Sequence, residues 1–182
     1  MAAIGVFCAS STRLAQTHLD LATALGKALG PRGHSLVSGG GCVGMMGAVA
    51  DGARAGGAHT LGVIPQSLVD LEVADTASDD LIVTTDMGAR KNIMIERSDA
   101  FITLPGGLGT LDELFEVWTT ATLALHTKPI VILDPDGFYP GLLAWINEIA
   151  TTEFVRTEAL ALVTVTTSID AALDHIEASL NP

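Results

Sequence analysis

Positive charge is scarce in this 182-residue chain: nine Lys and Arg stand against 21 Asp and Glu, a formal net charge of −12 at pH 7. A surface of that sign repels nucleic acid and anionic membranes unless its few cations gather in one place, so no nucleic-acid and no membrane partner is expected. Cysteine is nearly absent. Cys8 and Cys42 are too few for a disulfide scaffold, which makes a reducing compartment, the cytoplasm, the expected location. Charged residues of either sign reach only 16% against 48% hydrophobic. That balance excludes intrinsic disorder, and the apolar excess points to some outer surface buried against another subunit. No basic leader precedes the apolar residues 1–10, and the uncharged stretch 33–50 holds six glycines, which suits a strand and a loop and not a membrane span.

Several chemical signatures are also missing. The five histidines show no ligand spacing, and neither H-E-x-x-H nor C-x-x-C occurs, so no metal and no cofactor is expected. The absence of G-x-S-x-G and of G-x-x-x-x-G-K-[ST] excludes a serine-hydrolase elbow and a P-loop ATPase. Lys91 as a Schiff-base lysine for pyridoxal phosphate has no second feature to support it.

What is present is alternation. Short apolar runs at residues 4–8, 35–37, 60–64, 81–84, 100–104, 129–133 and 162–165 read as strands. Helical spacing is expected over 12–29, 44–55, from a cap at Asp86 through 97, from 110 to about 125, over 138–149, and over 168–180. Residues 65–80 lose periodicity and concentrate acid at Asp70, Glu72, Asp75, Asp79 and Asp80, so a surface loop is expected. Continuous apolar strands separated by helices predict an α/β fold: a single Rossmann-like domain over 1–182, doubly wound, its parallel sheet covered by helices on both faces. Ligands in such a fold sit at the carboxyl ends of the strands.

Two glycine-rich loops are expected at that edge. Gly39, Gly41 and Gly44 match G-x-G-x-x-G, but after the second strand and without the acidic residue that a dinucleotide site places some 20 positions on. Close helix–strand packing explains this loop equally well. The second loop, Pro105-Gly106-Gly107-Leu108-Gly109-Thr110, is followed by Leu111-Asp112-Glu113. Converging backbone N–H groups at a helix start suit a phosphate. Thr-x-x-Glu has a plainer meaning, a capping box with Thr110 as N-cap and Glu113 reaching back to it. A carboxylate beside an anion site is costly unless it meets a hydroxyl, a water or a cation, which favours a chemical role. Just upstream, Arg90, Lys91 and Arg97 fall within eight residues, and Met87, Arg90, Met94 and Arg97 share a helical face. Such charges are usually solvated, yet this helix also follows a strand, so Arg90 is placed to pair with a phosphate or with Glu113. Trp118, with Val117, Ala121, Leu123 and Leu125, makes the following helix apolar on most sides, as core or as a subunit interface.

Those residues resemble a known family. The segment from Pro105 to Glu113 is similar to the PGGxGTxxE signature of the LOG ("Lonely Guy") proteins, and Met87-Gly88-Ala89-Arg90-Lys91-Asn92-Ile93-Met94 to their M-x-x-R-K-x-x-M segment. The likeness extends to Val6-Phe7-Cys8-Ala9-Ser10-Ser11, Ser38-Gly39-Gly40-Gly41, Lys128-Pro129 and Asp136-Gly137-Phe138-Tyr139. The resemblance implies a Rossmann-like homodimer with sites near the subunit interface, and a cytokinin riboside 5′-monophosphate phosphoribohydrolase. Many members also accept AMP. It implies Arg90 and Glu113 as catalytic residues and Gly106, Gly107, Gly109 and Thr110 as the phosphate loop. Leu108, Lys91, Met87, Gly40, Gly41 and Ser10 complete the expected substrate-binding set. Leu108 stands where members often have Tyr, and Asp112 where Glu is frequent. Residues 66–80 depart from the common pattern, with Glu72 in the place of a loop carboxylate. These differences bear on base preference more than on the reaction.

In N-glycosidic hydrolysis the transition state is positive at the ribose C1′. Glu113 is expected to stabilise that charge and to orient or deprotonate water. An Arg neighbour lowers a carboxylate pKa, so Glu113 is expected to be a poor acid for the departing base. Two other classes compete: a non-catalytic carrier of a nucleotide or molybdopterin-type cofactor, and an NAD(P)-binding oxidoreductase built on the Gly39–Gly44 loop.

Overall fold

A computed structural model describes residues 1–71 and 73–181. Seven strands form one parallel sheet: β1 (Ala3–Phe7), β2 (Ser35–Ser38), β3 (Thr60–Pro65), β4 (Asp80–Thr84), β5 (Ala100–Thr103), β6 (Ile130–Leu133) and β7 (Val163–Thr166). Their order is β4-β3-β2-β1-β5-β6-β7. The chain winds outward from β1 to β4, then crosses back to lay β5 against the other side of β1. The β1/β5 junction is therefore the topological switch point, where a crevice opens beyond the carboxyl ends of the strands. Here Ile4 lies opposite Ala100 and Phe7 opposite Thr103, and the Leu104 N–H extends the pairing to the Phe7 carbonyl at 2.9 Å.

Helices cover both faces, as the apolar strands require. Alternate residues feed two cores. Ile4, Val6, Leu36, Ile102 and Val131 pack with α1 (Gln16–Leu29), α2 (Gly44–Ala55) and α8 (Ile169–Leu180). Phe7, Val37, Val63, Phe101, Ile130 and Ile132 face α4 (Met87–Arg97), α5 (Leu108–Thr122) and α6 (Pro140–Thr151). The small residues of α2 serve contact with α1: a Cβ on Gly52 would strike the Thr23 backbone, and one on Gly26 the Val49 carbonyl.

Several boundaries differ from expectation. The first helix begins at Gln16, not at residue 12, behind an extended Ala15 that offers no side-chain cap, leaving residues 8–15 as a loop on the ligand edge. Helix α5 stops at Thr122 because Ala124 turns left-handed at φ 55°. The expected strand at 100–104 ends at Thr103. Phe138 and Tyr139 lie ahead of α6. Two short helices went unanticipated, α3 (Gln66–Val69) inside the expected acidic loop and α7 (Thr157–Leu160) before β7. Asp86 does cap α4, accepting from the Ala89 N–H at 2.8 Å.

Candidate active site

Helix α4 enters from the carboxyl end of β4, and its first turn carries Arg90 inward. The guanidinium is buried, only 5% exposed, and every contact compensates its charge. Nε donates to the Val63 carbonyl at 3.0 Å, Nη2 to the Gly39 carbonyl at 3.2 Å and Nη1 to Glu113 Oε1 at 3.0 Å. The side chain thus ties the ends of β2 and β3 to α5. Of the two partners expected for Arg90 it meets Glu113, and it does so as a buried tie, because strand ends supply carbonyls that a guanidinium fork satisfies without water.

This explains the first glycine loop. A Cβ on Gly39 would overlap the Arg90 guanidinium, so glycine clears its path. Gly40 takes φ 68° beneath the backbone of Val63. Residues 73–75 lie over the loop: Cys42 N–H donates to the Val73 carbonyl and Asp75 N–H to the Gly40 carbonyl, both at 2.8 Å. Asp75 is held by Arg54 at 2.7 Å and the Ser78 hydroxyl at 3.0 Å. Gly40 and Gly41 are buried, beneath a strap that engages the Cys42 N–H, a donor that a pyrophosphate would need. Glu72 lies outside the described residues. Ser10, exposed on the loop after β1, sits against the start of α2, where Gly44 at φ 59° leaves room for the Ser10 and Ser11 backbone.

The second loop is different. Helix α5 begins at Leu108, and its N-cap is Gly107, with no side-chain cap and no acid in the first turn. Thr110 is therefore the third helical residue and not the N-cap, so the capping box is not formed. Its buried side chain fills the space that a Cβ on Gly106 would take. Gly107, Leu108 and Gly109 are exposed, and the first N–H turned back into the helix is that of Leu111, to Gly107 at 3.0 Å. The N–H groups of Leu108, Gly109 and Thr110 precede it and have no intrahelical partner, an arrangement chemically suited to an anion.

Glu113 lies one turn further along, beside Arg90. Burial pushes its carboxyl up to about 7, against the lowering by Arg90. The expectation of a depressed pKa is thus reversed, because removal from water outweighs one partner on one oxygen. No described residue donates to Oε2. Cys8, buried at the end of β1, has its thiol raised by burial and by the nearby Glu113, so it stays protonated. Lys91 pairs with Asp112 at 2.9 Å and Glu116 at 2.8 Å, which hold its amine charged. A Schiff-base lysine needs the opposite shift, so this site does not fit pyridoxal phosphate. Met87 is exposed at the start of α4, and Arg97 is exposed at its end.

Fold and site together define an α/β protein with an uncapped, acid-free helix start and a buried carboxylate near its switch point. A family model described as possible lysine decarboxylase matches residues 46–176. A cytokinin riboside 5′-monophosphate phosphoribohydrolase of Mycobacterium marinum is 50% identical over 173 residues, spanning 93% of this chain and 90% of that protein. The protein of the same name from Mycobacterium tuberculosis is 51% identical over 170 residues, with the same coverage. One from Arabidopsis thaliana is 42% identical over 160 residues, covering 88% of this chain and 74% of its own. The chain belongs to this phosphoribohydrolase family, the LOG proteins. Among solved structures, the molybdenum cofactor binding protein of Rippkaea orientalis (26% identity, TM-score 0.75, 98% of this chain and 97% of that one) shares the fold. So does the molybdenum cofactor carrier protein of Chlamydomonas reinhardtii (28%, 0.75, 99% and 98%).

Proposed function

We propose that the protein hydrolyses the N-glycosidic bond of cytokinin riboside 5′-monophosphates, and of AMP, to free base and ribose 5-phosphate. The observation that carries this reading is an uncapped, acid-free helix start followed one turn later by a buried carboxylate on an arginine tie. The 5′-phosphate rests on the N–H groups of Leu108, Gly109 and Thr110, within the Gly106–Gly107 turn. Lys91, Met87 and Ser10 border the substrate together with the loop of Gly40 and Gly41, while the Gly39 carbonyl holds Arg90. Anchoring the phosphate fixes the ribose, and ideal positioning of this kind lowers a barrier by about 7–11 kcal/mol.

Glu113 then faces the anomeric carbon. As a carboxylate it stabilises the positive C1′ of the transition state and accepts the proton of the attacking water. The water oxygen bonds to C1′, the C1′–N bond breaks with its electrons passing to the base, and the base takes a proton from solvent. Arg90 aims the carboxylate through Oε1 and leaves Oε2 for the reaction.

The whole chain acts as one domain, in the cytoplasm, as a homodimer. The apolar groove of about 410 Å³ between α5 and α6, walled by Phe115, Trp118, Trp145 and Phe154, supports the pairing. Among the described residues no helix is long and apolar enough to cross a membrane.

Chromatography of free base from a panel of nucleoside monophosphates, N6-prenylated AMP included, tests the reading beside the matching nucleosides. Nucleotides are cleaved and nucleosides are not; equal turnover of AMP and adenosine overturns the anchoring role. A carrier function would survive Glu113→Ala with no base ever released. The oxidoreductase reading finds no support in a Gly39–Gly41 loop roofed by residues 73–75.

A further inference from the structure

The Asp136-Gly137-Phe138-Tyr139 segment takes no part in the site so far, yet its tyrosine ends inside it. Tyr139 immediately precedes α6 and is 1% exposed. Its hydroxyl donates to the Leu104 carbonyl at 2.7 Å. One phenol thus holds the carbonyl just before Pro105, at the head of the turn that leads to the uncapped start of α5. The tyrosine is itself fixed from behind. Buried Asp134, at the end of β6, accepts from the Phe138 N–H at 2.7 Å and the Tyr139 N–H at 2.9 Å. Gly137 makes the turn at φ 73°, and Phe138 packs edge-on against the ring at 4.8 Å.

A glycine turn that must present N–H groups to a dianion has no stiffness of its own, since glycine populates several backbone regions with similar ease. Its geometry has to come from outside. A buried hydroxyl fixed on the carbonyl at the head of the turn supplies that constraint, and a buried phenol finds such a partner or is costly.

We propose that Tyr139 is a positioning residue for phosphate recognition: seated by Asp134, it braces the backbone at Leu104 and Pro105 so that the start of α5 presents its amides preorganised for the 5′-phosphate. This rests on the phosphate site described above. Removing the hydroxyl while keeping the ring loosens the turn and weakens the phosphate-bearing ligand selectively, without touching Glu113.

The test is Tyr139→Phe, with ribose 5-phosphate binding measured by calorimetry and KM and kcat measured with AMP. The loss of one buried hydrogen bond predicts about fivefold weaker ribose 5-phosphate binding, a matching rise in KM and little change in kcat. The pH midpoint set by Glu113 stays in place. Asp134→Asn, which keeps the hydroxyl but weakens its seat, shifts binding in the same direction by less, and stands in for the phenylalanine variant if that fails to fold. Arg32→Ala, which breaks the Arg32–Glu177 pair at the opposite end of the sheet, lowers Tm without weakening ribose 5-phosphate. Unchanged binding in both Tyr139→Phe and Asp134→Asn overturns the inference, as does a loss confined to kcat. A wild type that binds ribose 5-phosphate no better than ribose overturns the phosphate site and the inference together. A wild type that binds it but releases no base overturns the hydrolase reading alone.

Discussion

Glu113 carries its carboxyl between two opposed influences: burial favours the protonated form, and Arg90 at 3.0 Å favours the ionised one. With burial the stronger, the group is pushed up to about 7, and in the proposed reaction the ionised form is the one that accepts a proton from water. Activity is therefore expected to rise with pH through about 7 and then level. Arg90→Gln removes the charge that opposes burial, so the midpoint moves upward; a downward shift in kcat–pH profiles would contradict the assignment. The same shift has a stability consequence. Between the ordinary 4.5 and about 7 the folded state keeps a proton that the unfolded state has released. Stability from this group is therefore complete below pH 4.5 and declines as pH rises across that window. Glu113→Gln flattens that part of the Tm–pH curve and lowers kcat by about 10²–10⁴. Arg90 and Glu113 were legible in the sequence as candidates. Their burial was not, since it depends on strand ends far away in the chain: Gly39 and Val63 lend carbonyls to an arginine 51 and 27 residues on. That missing burial is why the sign of the Glu113 shift was misjudged.

At the scale of the element, the start of α5 illustrates how one signal carries two meanings. Thr110 and Glu113 have the spacing of a capping box, yet the helix starts three residues earlier than the box would place it, at a glycine turn. A capping box would consume the amides that a phosphate needs; starting at Leu108 leaves them open. This makes a discriminating substitution available. Gly107 is the N-cap, its backbone is extended at φ −92°, and a Cβ there meets nothing within 4 Å. Gly107→Asp fits without strain and caps the helix itself, so Tm is expected to hold or to rise slightly, by a few tenths of a kcal/mol of stability. The new carboxylate occupies the amides and repels the dianion, so KM for AMP should climb at least about tenfold. A variant that is more stable yet still binds AMP normally would place the phosphate elsewhere. Strands were the readable elements because burial on both faces makes them continuous apolar runs. Short helices such as α3 and α7 span four residues each, too little for a period to show, and α1 begins without a capping side chain to announce it.

At the scale of the whole molecule, the composition leaves a surplus that one copy of the fold does not bury. Phe154 is 86% exposed, Leu125 70%, Leu123 64% and Trp145 55%. Phe154, Leu123 and Trp145 line the groove between α5 and α6, and Leu125 closely follows Leu123 in sequence. Scattered apolar residues on a surface need no explanation, but aromatic and aliphatic side chains gathered around one groove do. In a self-complementary pairing the same groove serves both partners, and a twofold arrangement is the commonest closed one. The helix that supplies this surface is also the one whose start is proposed to receive the phosphate; in the proposed dimer the pairing would hold α5 from its outer side, while Arg90 and Lys91 hold it from α4. Trp145 is half exposed in the single chain, so Trp145→Asp costs the monomer little, whereas in a dimer it places an unpaired charge in an apolar seam. Sedimentation at micromolar concentration is expected to give the wild type twice the 18.8 kDa chain mass and Trp145→Asp a single chain with unchanged helical circular dichroism. A wild type that sediments as one chain would leave the groove without a second copy to cover it.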